Sequence, residues 1–225
     1  MTEREKILGR VREALAVKAP QGAHGEVMTL PATDGAREWL PAAGEAFEER
    51  LAQFRKNLSA LKAEFHFVQG REELRKVLND LREAEGWKRV ATHGGELTDF
   101  AAESLGLPVL RTDAAYDVNE LDRCNAGITQ CDALVAQMGS VLLTNRSAGG
   151  RALSVLPPHH VVLARREQLL RDLPEAFQLL QRKYEGNYPS MMSFVTGPSR
   201  TADIERILVL GAHGPKKLTV ICLNS

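Results

Sequence analysis

Ala126-Gly-Ile-Thr-Gln-Cys-Asp-Ala-Leu-Val-Ala-Gln-Met-Gly-Ser-Val-Leu-Leu-Thr144 decides the fold. Residues 126–129, 133–137 and 140–144 are strand-sized apolar runs, and Gly139 separates the last two closely enough for a tight hairpin that adds an antiparallel pair to a sheet. Outward from this stretch the same short runs recur at residues 89–92, 108–111, 160–164, 192–196 and 218–223. Amphipathic segments suited to helices fall at 96–105, 118–123, 167–184 and 201–210. Strands alternating with helices are the pattern of an α/β fold in which helices flank a mixed, largely parallel sheet. No internal repeat is present.

Toward the N-terminus the period changes. Phe47, Leu51, Phe54, Leu58, Leu61 and Phe65 follow steps of four and three, which align side chains along one side of a helix. That face suits core packing or the docking of another subunit. Leu74, Val77, Leu78 and Leu81 mark a further helix, and Thr2 with Glu5 forms a capping box ahead of Ile7, Val11, Ala14 and Leu15. Between them, residues 18–41 are rich in Pro, Gly and Ala without periodicity, as in a flexible linker. The division expected is a helical N-terminal extension over 1–85 and an α/β domain over 86–225.

Composition narrows the function. Of 225 residues 44% are hydrophobic and 26% charged, enough for one sizeable core. Lys plus Arg and Asp plus Glu both total 29, so no basic excess points to nucleic acid or an acidic membrane. The opening Met1-Thr2-Glu3-Arg4-Glu5-Lys6 has no apolar signal core behind it, and the expected location is the cytoplasm. Cys124, Cys131 and Cys222 lack any CxxC spacing, so the chain is not expected to hold an iron–sulfur cluster or other cofactor by itself.

Several glycine-bearing loops could carry chemistry. In Ser193-Phe-Val-Thr-Gly-Pro-Ser-Arg-Thr-Ala-Asp-Ile-Glu205 an apolar strand passes through Gly197-Pro198 into an expected helix whose first turn holds Ser199 and Thr201, with Arg200 alongside. Free N–H donors and the positive end of a helix dipole there would hold a carboxylate or phosphate; plain capping by Ser199 is the alternative. His213, between glycines in Leu210-Gly-Ala-His-Gly-Pro-Lys216, is the best proton-transfer candidate, against a surface role. Gly150 lets the chain turn so that Arg151 could clamp a carboxylate through two parallel N–H bonds. Gln137 and Ser140 flank Gly139 and could hydrogen-bond a substrate, although Ser140 has no base nearby in sequence to activate it. His159 and His160 point to opposite sides of a strand, and no metal site is expected. His93-Gly-Gly-Glu96 is a further strand-end loop of the kind that binds ligands in α/β sheets.

Taken together, Gly127-Ile-Thr129, Asp132 to Ser140, Gly150-Arg151, Leu156-Pro-Pro-His159, Thr196-Gly-Pro-Ser-Arg-Thr-Ala-Asp-Ile-Glu205 and Leu210-Gly-Ala-His-Gly-Pro215 occur in the order seen in LUD-domain proteins. Over residues 86–225 the sequence resembles the lactate utilization protein C family. The resemblance implies a fold related to the sugar-phosphate isomerase and CoA-transferase-like α/β proteins. It also implies a part in oxidising L-lactate to pyruvate as the cluster-free member of a set whose partners carry iron–sulfur clusters. One departure stands out: the family commonly has Ala-Glu-Thr-Gly-Thr where this chain has Ala136-Gln-Met-Gly-Ser140, and Gln137 cannot act as a carboxylate base. Two other readings compete: a stand-alone enzyme or sensor binding a phosphorylated or CoA-linked small molecule, and a non-catalytic binding module.

Overall fold

In strands buried on both faces, successive side chains must feed two different cores, and the C-terminal strand shows it directly. Leu218, Val220 and Cys222 enter one apolar cluster, Ile221 and Leu223 another. The computed structural model describes residues 3–16, 40–201, 209–210 and 214–224. It divides at Trp39/Leu40 into two units. The first contains helix α1 (Glu3–Ala16), where Ile7 and Leu8 are exposed.

The second unit runs Leu40–Ser225. In chain order it comprises α2 (Phe47–Ala60), β1 (Glu64–Gln69), α3 (Gly70–Glu85), β2 (Val90–Thr92), α4 (Glu96–Leu105), β3 (Val109–Arg111), α5 (Val118–Asp122), β4 (Ala126–Gln130), β5 (Ala133–Val135) and β6 (Ser140–Thr144). Then follow β7 (His159–Arg165), β8 (Leu169–Leu170), α6 (Leu173–Tyr184), β9 (Met192–Val195), β10 (Arg200–Thr201), β11 (Val209–Leu210) and β12 (Lys217–Asn224). The main sheet has the order β1-β12-β7-β4-β2-β3, and its strands are parallel throughout. A second sheet has the order β8-β5-β6-β9, with β5–β6 and β6–β9 antiparallel. The α/β class and the parallel sheet are as the alternation predicts. The hairpin at Gly139 forms too, but it builds this separate sheet rather than extending the main one.

Packing explains the separation. Leu134, Val141 and Leu143 of the small sheet join Phe54 and Leu58 of α2 against Val162, Ala164 and Val220 on one face of the main sheet. Leu74, Leu78 and Leu81 of α3 and Leu97, Ala101 and Leu105 of α4 cover the other face. The outer side of the small sheet, Ala133, Val135 and Leu142, is covered by Ala176, Leu180 and Tyr184 of α6.

Three local expectations change. Residues 64–69, placed at the end of a long helix and within a helical extension, form β1 at the edge of the main sheet, paired with β12. The boundary drawn at residue 86 therefore falls inside the Leu40–Ser225 unit. Lys62, at φ 62°, ends the helix, yet Phe65 still packs on Phe54 at 5.2 Å between ring centroids. The contact that made Phe65 look helical is real, and it is made from a strand. The helix expected over 167–184 begins only at Leu173, because Leu169–Leu170 pairs with β5 and Asp172 caps the helix by accepting from the Glu175 N–H at 3.0 Å. The helix expected over 201–210 has strands at both ends: Arg200 and Thr201 pair antiparallel with Leu210 and Val209. Residues 202–208 lie outside the described residues.

Candidate functional site

Two loci collect the loops singled out in the sequence, and strand β6 separates them. At its Ser140 end β6 runs beside the end of β9, where Val141 pairs with Val195; at its other end Thr144 pairs with Met192. At about 3.3 Å per residue the ends lie about 13 Å apart.

The first locus forms around the hairpin turn and the last turn of α2. Gly139 adopts φ 66°, and its N–H donates to Val135 O at 2.9 Å. A Cβ there would lie 2.7 Å from Leu58 N and 2.8 Å from Asn57 Cβ, so only glycine lets the turn seat on the helix. Asn57 Nδ2 donates to the carbonyls of Ala136 and Gln137, at 3.1 and 2.9 Å. Ser140 is fully buried, and its Oγ lies 2.7 Å from Thr196 Oγ1. Gly197, at φ 113°, stacks on Leu61, and the Arg200 guanidinium reaches back to the Leu61 carbonyl. Gly197 and Arg200 thus meet Leu61 and Ser140 meets Thr196, while Gln137 reaches the helix through its main-chain carbonyl at Asn57 and turns its carboxamide to Pro41 O. Ser199 turns away into another contact: its N–H donates to Pro215 O at 2.9 Å. With this bond and the β10 pairing, Arg200 and Thr201 are extended where the sequence predicts the first turn of a helix, and residues 202–208, into which that helix would run, lie outside the described residues. His213 lies outside the described residues.

The second locus lies at the carboxyl ends of β2 and β4. The chain leaves β2 for β3 on one side and returns to β4 on the other, the kind of reversal of strand order beyond whose strand ends open α/β sheets bind ligands. His93, Gly94 and Gly95 follow β2 ahead of α4, with Gln130 at the end of β4. A Cβ on Gly95 would meet Gln130 Nε2 at 2.4 Å, and one on Gly149 would meet His93 Cβ at 2.3 Å. The glycine turn holding Gly150 therefore belongs to this edge, with Thr112 Oγ1 donating to Gly149 O at 2.6 Å. Arg151 is exposed and donates to Ser190 O at 3.0 Å, so it does not share the Ser140 locus. His93 is buried, and burial lowers its pKa. The Gln130 N–H, 3.3 Å from Nε2, requires a lone pair there, so Nδ1 carries the proton and donates to Gly94 O at 2.9 Å. With both nitrogens engaged, this imidazole is a neutral strut for the loop.

Sequence reasoning passed over one buried polar cluster beside β5. Asp132 Oδ1 accepts from Lys183 Nζ at 2.7 Å and from the Tyr184 hydroxyl at 2.6 Å. Burial alone would raise the Asp132 pKa, but hydrogen bonds from Lys183, Ser147 and Tyr184 outweigh it and keep the carboxylate ionised. The Lys183-Tyr184 pair closing an amphipathic helix was the signal. The adjacent histidines divide as the strand alternation predicts: His159 Nε2 meets Thr219 Oγ1 and His160 Nε2 meets Thr129 Oγ1, each at 2.9 Å.

The sequence model of the LUD domain family matches residues 51–223. Lactate utilization protein C of Anoxybacillus flavithermus is 33% identical over 149 residues, which make up 60% of this chain and 66% of that protein. The protein of that name from Deinococcus radiodurans is 33% identical over 122 residues, 54% of this chain and 57% of that protein. In Bacillus velezensis the figures are 32% over 124 residues, 53% and 52%. The chain thus spans about half to two thirds of the length of these curated relatives. The crystal structure of a DUF162 family protein from Deinococcus radiodurans aligns with a TM-score of 0.62 at 24% identity, covering 80% of this chain and 99% of that one, a likeness of fold.

Proposed function

The chain belongs to the LUD domain family, and from that membership we propose that it is a component of an L-lactate oxidation system, working beside iron–sulfur proteins that carry out the electron transfer. The names of its relatives point to lactate utilization. Cys124, Cys131 and Cys222 are free and buried. The proposed setting is the cytoplasm; among the described residues no helix is long and apolar enough to cross a membrane.

The chain's own part is to hold a small carboxylate at the hairpin locus. The observation that carries this reading is the meeting of Ser140 with Thr196 and of Gly197 and Arg200 with Leu61 at the end of α2, with Asn57 and Gln137 bonded one turn back along the helix. Hydroxyls, a carboxamide and a guanidinium are the groups that bind a hydroxy acid or keto acid. Thermal-shift measurements with L-lactate, pyruvate, inorganic phosphate and CoA test it, since a ligand specific to the native state raises the melting temperature. The expected result is a rise with L-lactate that is lost in Ser140→Ala and Arg200→Ala. A rise with phosphate or CoA alone would replace this reading with a sensor or enzyme for phosphorylated ligands, for which the strand ends beside His93 and the start of α4 offer the site. Failure to copurify with any iron–sulfur protein would count against the assembly.

A further inference from the structure

Gln137 is held rigidly and only half satisfied. Its N–H donates to Arg171 O at 3.0 Å, and its own carbonyl accepts from Asn57. The side chain is 6% exposed; Nε2 donates to Pro41 O at 2.6 Å, while Oε1 is buried with no donor among the described residues. Turning the amide over would set Oε1 against the Pro41 carbonyl, acceptor to acceptor, so the bond to Pro41 fixes which way the carboxamide faces. The carboxamide therefore offers a donor, now used by Pro41, beside an acceptor that nothing among the described residues fills.

Residues 40–46, which supply the Pro41 carbonyl, are tied down by polar contacts. Gln53 Nε2 donates to Ala42 O at 2.8 Å and Gln53 Oε1 accepts from Gly44 N at 3.1 Å. The Glu49 carboxylate accepts from the N–H groups of Glu45 and Ala46, and Arg171 pairs with Glu45. Pro41, Ala42, Glu45 and Ala46 are exposed, and none of residues 40–46 belongs to an apolar cluster. A segment so attached opens at small cost.

We propose that residues 40–46 form a strap latched by the Gln137 carboxamide, that the Pro41 carbonyl stands where a ligand's carboxylate oxygen binds, and that Gln137 selects a 2-hydroxy acid over a 2-oxo acid. The ligand class rests on the reading given under Proposed function. A 2-hydroxy carboxylate places an O–H donor next to an acceptor: the carboxylate accepts a hydrogen bond from Nε2–H and the hydroxyl donates to Oε1. A 2-oxo acid has no O–H and leaves Oε1 orphaned. A site built around a hydroxyl discriminates strongly against the analogue lacking it, because its own buried group is then unpaired. The Gln at this position thus distinguishes lactate from pyruvate, and the strap yields to lactate.

Hydrogen exchange of the amides of residues 42–46 in the full chain tests the proposal, with L-lactate and pyruvate as probes and with the variants Gln137→Met and Gln53→Met. L-lactate should speed exchange of the strap about tenfold, the value of one hydrogen bond, and pyruvate should do so less. Both variants should loosen the strap without ligand, with opposite consequences. Gln53→Met should bind L-lactate several-fold more tightly, because the competitor is weakened, whereas Gln137→Met should lose the preference for L-lactate over pyruvate. Wild-type strap exchange in Gln137→Met would overturn the latch. A loosened strap in Gln53→Met without tighter L-lactate binding would overturn the competition. If neither the wild type nor Gln53→Met binds L-lactate while Gln137→Met frees the strap, the lactate reading fails and takes the hydroxy-acid selectivity with it, leaving the latch standing.

Discussion

Acidification should destabilise this fold through His160, whose pKa is the most strongly depressed among its buried imidazoles. The imidazole lies 1% exposed on the central strand β7, bonded through Nε2 to Thr129 Oγ1, with Nδ1 buried and unpartnered. Burial, and the neighbouring His159 to a lesser degree, push its pKa from 6.5 to about 3. The unfolded chain therefore takes up a proton near pH 6.5 that the folded chain refuses until about pH 3. Stability from the neutral ring is complete above pH 6.5 and drains away as pH falls from there toward 3. At 1.36 kcal/mol per pH unit the whole depression is worth about 5 kcal/mol, and about 2 kcal/mol of it is gone by about pH 5. Urea unfolding followed by circular dichroism at about pH 7.5 and about pH 5 measures the loss. His160→Gln keeps a hydrogen-bonding partner for Thr129 but cannot titrate, so its stability should fall by about 2 kcal/mol less over the same interval. Equal losses in wild type and variant would falsify the assignment of the acid sensitivity to this ring.

Lys183→Met should cost about 2 kcal/mol, with Tyr184→Phe nearer 1, since the first leaves the Asp132 carboxylate buried without its cation; thermal or urea denaturation reads both. Lys183 is half exposed, which keeps the first figure below that of a fully buried pair. Gly139→Ala should destabilise by about 1–3 kcal/mol, because the methyl meets the α2 backbone and φ is positive. Gly106→Ala, at a similar φ of 58° but with nothing within 4 Å of a Cβ, should cost less, and a reversed order in urea midpoints would refute the contact argument. Phe54→Ala should cost about 3–5 kcal/mol, as Phe54 is fully buried between the two sheets.

The parallel sheet was legible because a strand covered on both faces is apolar throughout, as in residues 160–164, and because helices such as α4 end at the glycine their periodicity points to, Gly106 at φ 58°. β1 was hidden for a physical reason. Phe65 and Phe67 alternate on the side that meets α2, so a period of two overlaps the four-residue step from Leu61, and only Lys62 at φ 62° marks the break. Sequence spacing could not reveal that hairpin and main sheet are separate layers. That depends on which face of Leu134, Val141 and Leu143 finds α2.

The site was legible residue by residue and opaque as a constellation. Gln137, Ser140, Gly197 and Arg200 were each marked by a glycine or a polar group at a strand end; Gly197 and Arg200 meet at Leu61 and Ser140 pairs with Thr196, while the Gln137 carboxamide turns to Pro41. Gly150 and Arg151 carry equally strong local signals but belong to the far end of β6, because antiparallel pairing of β6 with β9 sends the two loops in opposite directions. Asn57 and Pro41 carry no motif at all. Their importance comes from side-chain and carbonyl groups that reach Gln137 across about 80 and 96 residues of sequence. A Gln in place of an expected Glu reads, in sequence, as a lost carboxylate base. In the fold the same change supplies a donor that a carboxylate lacks, and Pro41 O accepts it, so the substitution bears on what the site recognises as well as on what it can catalyse.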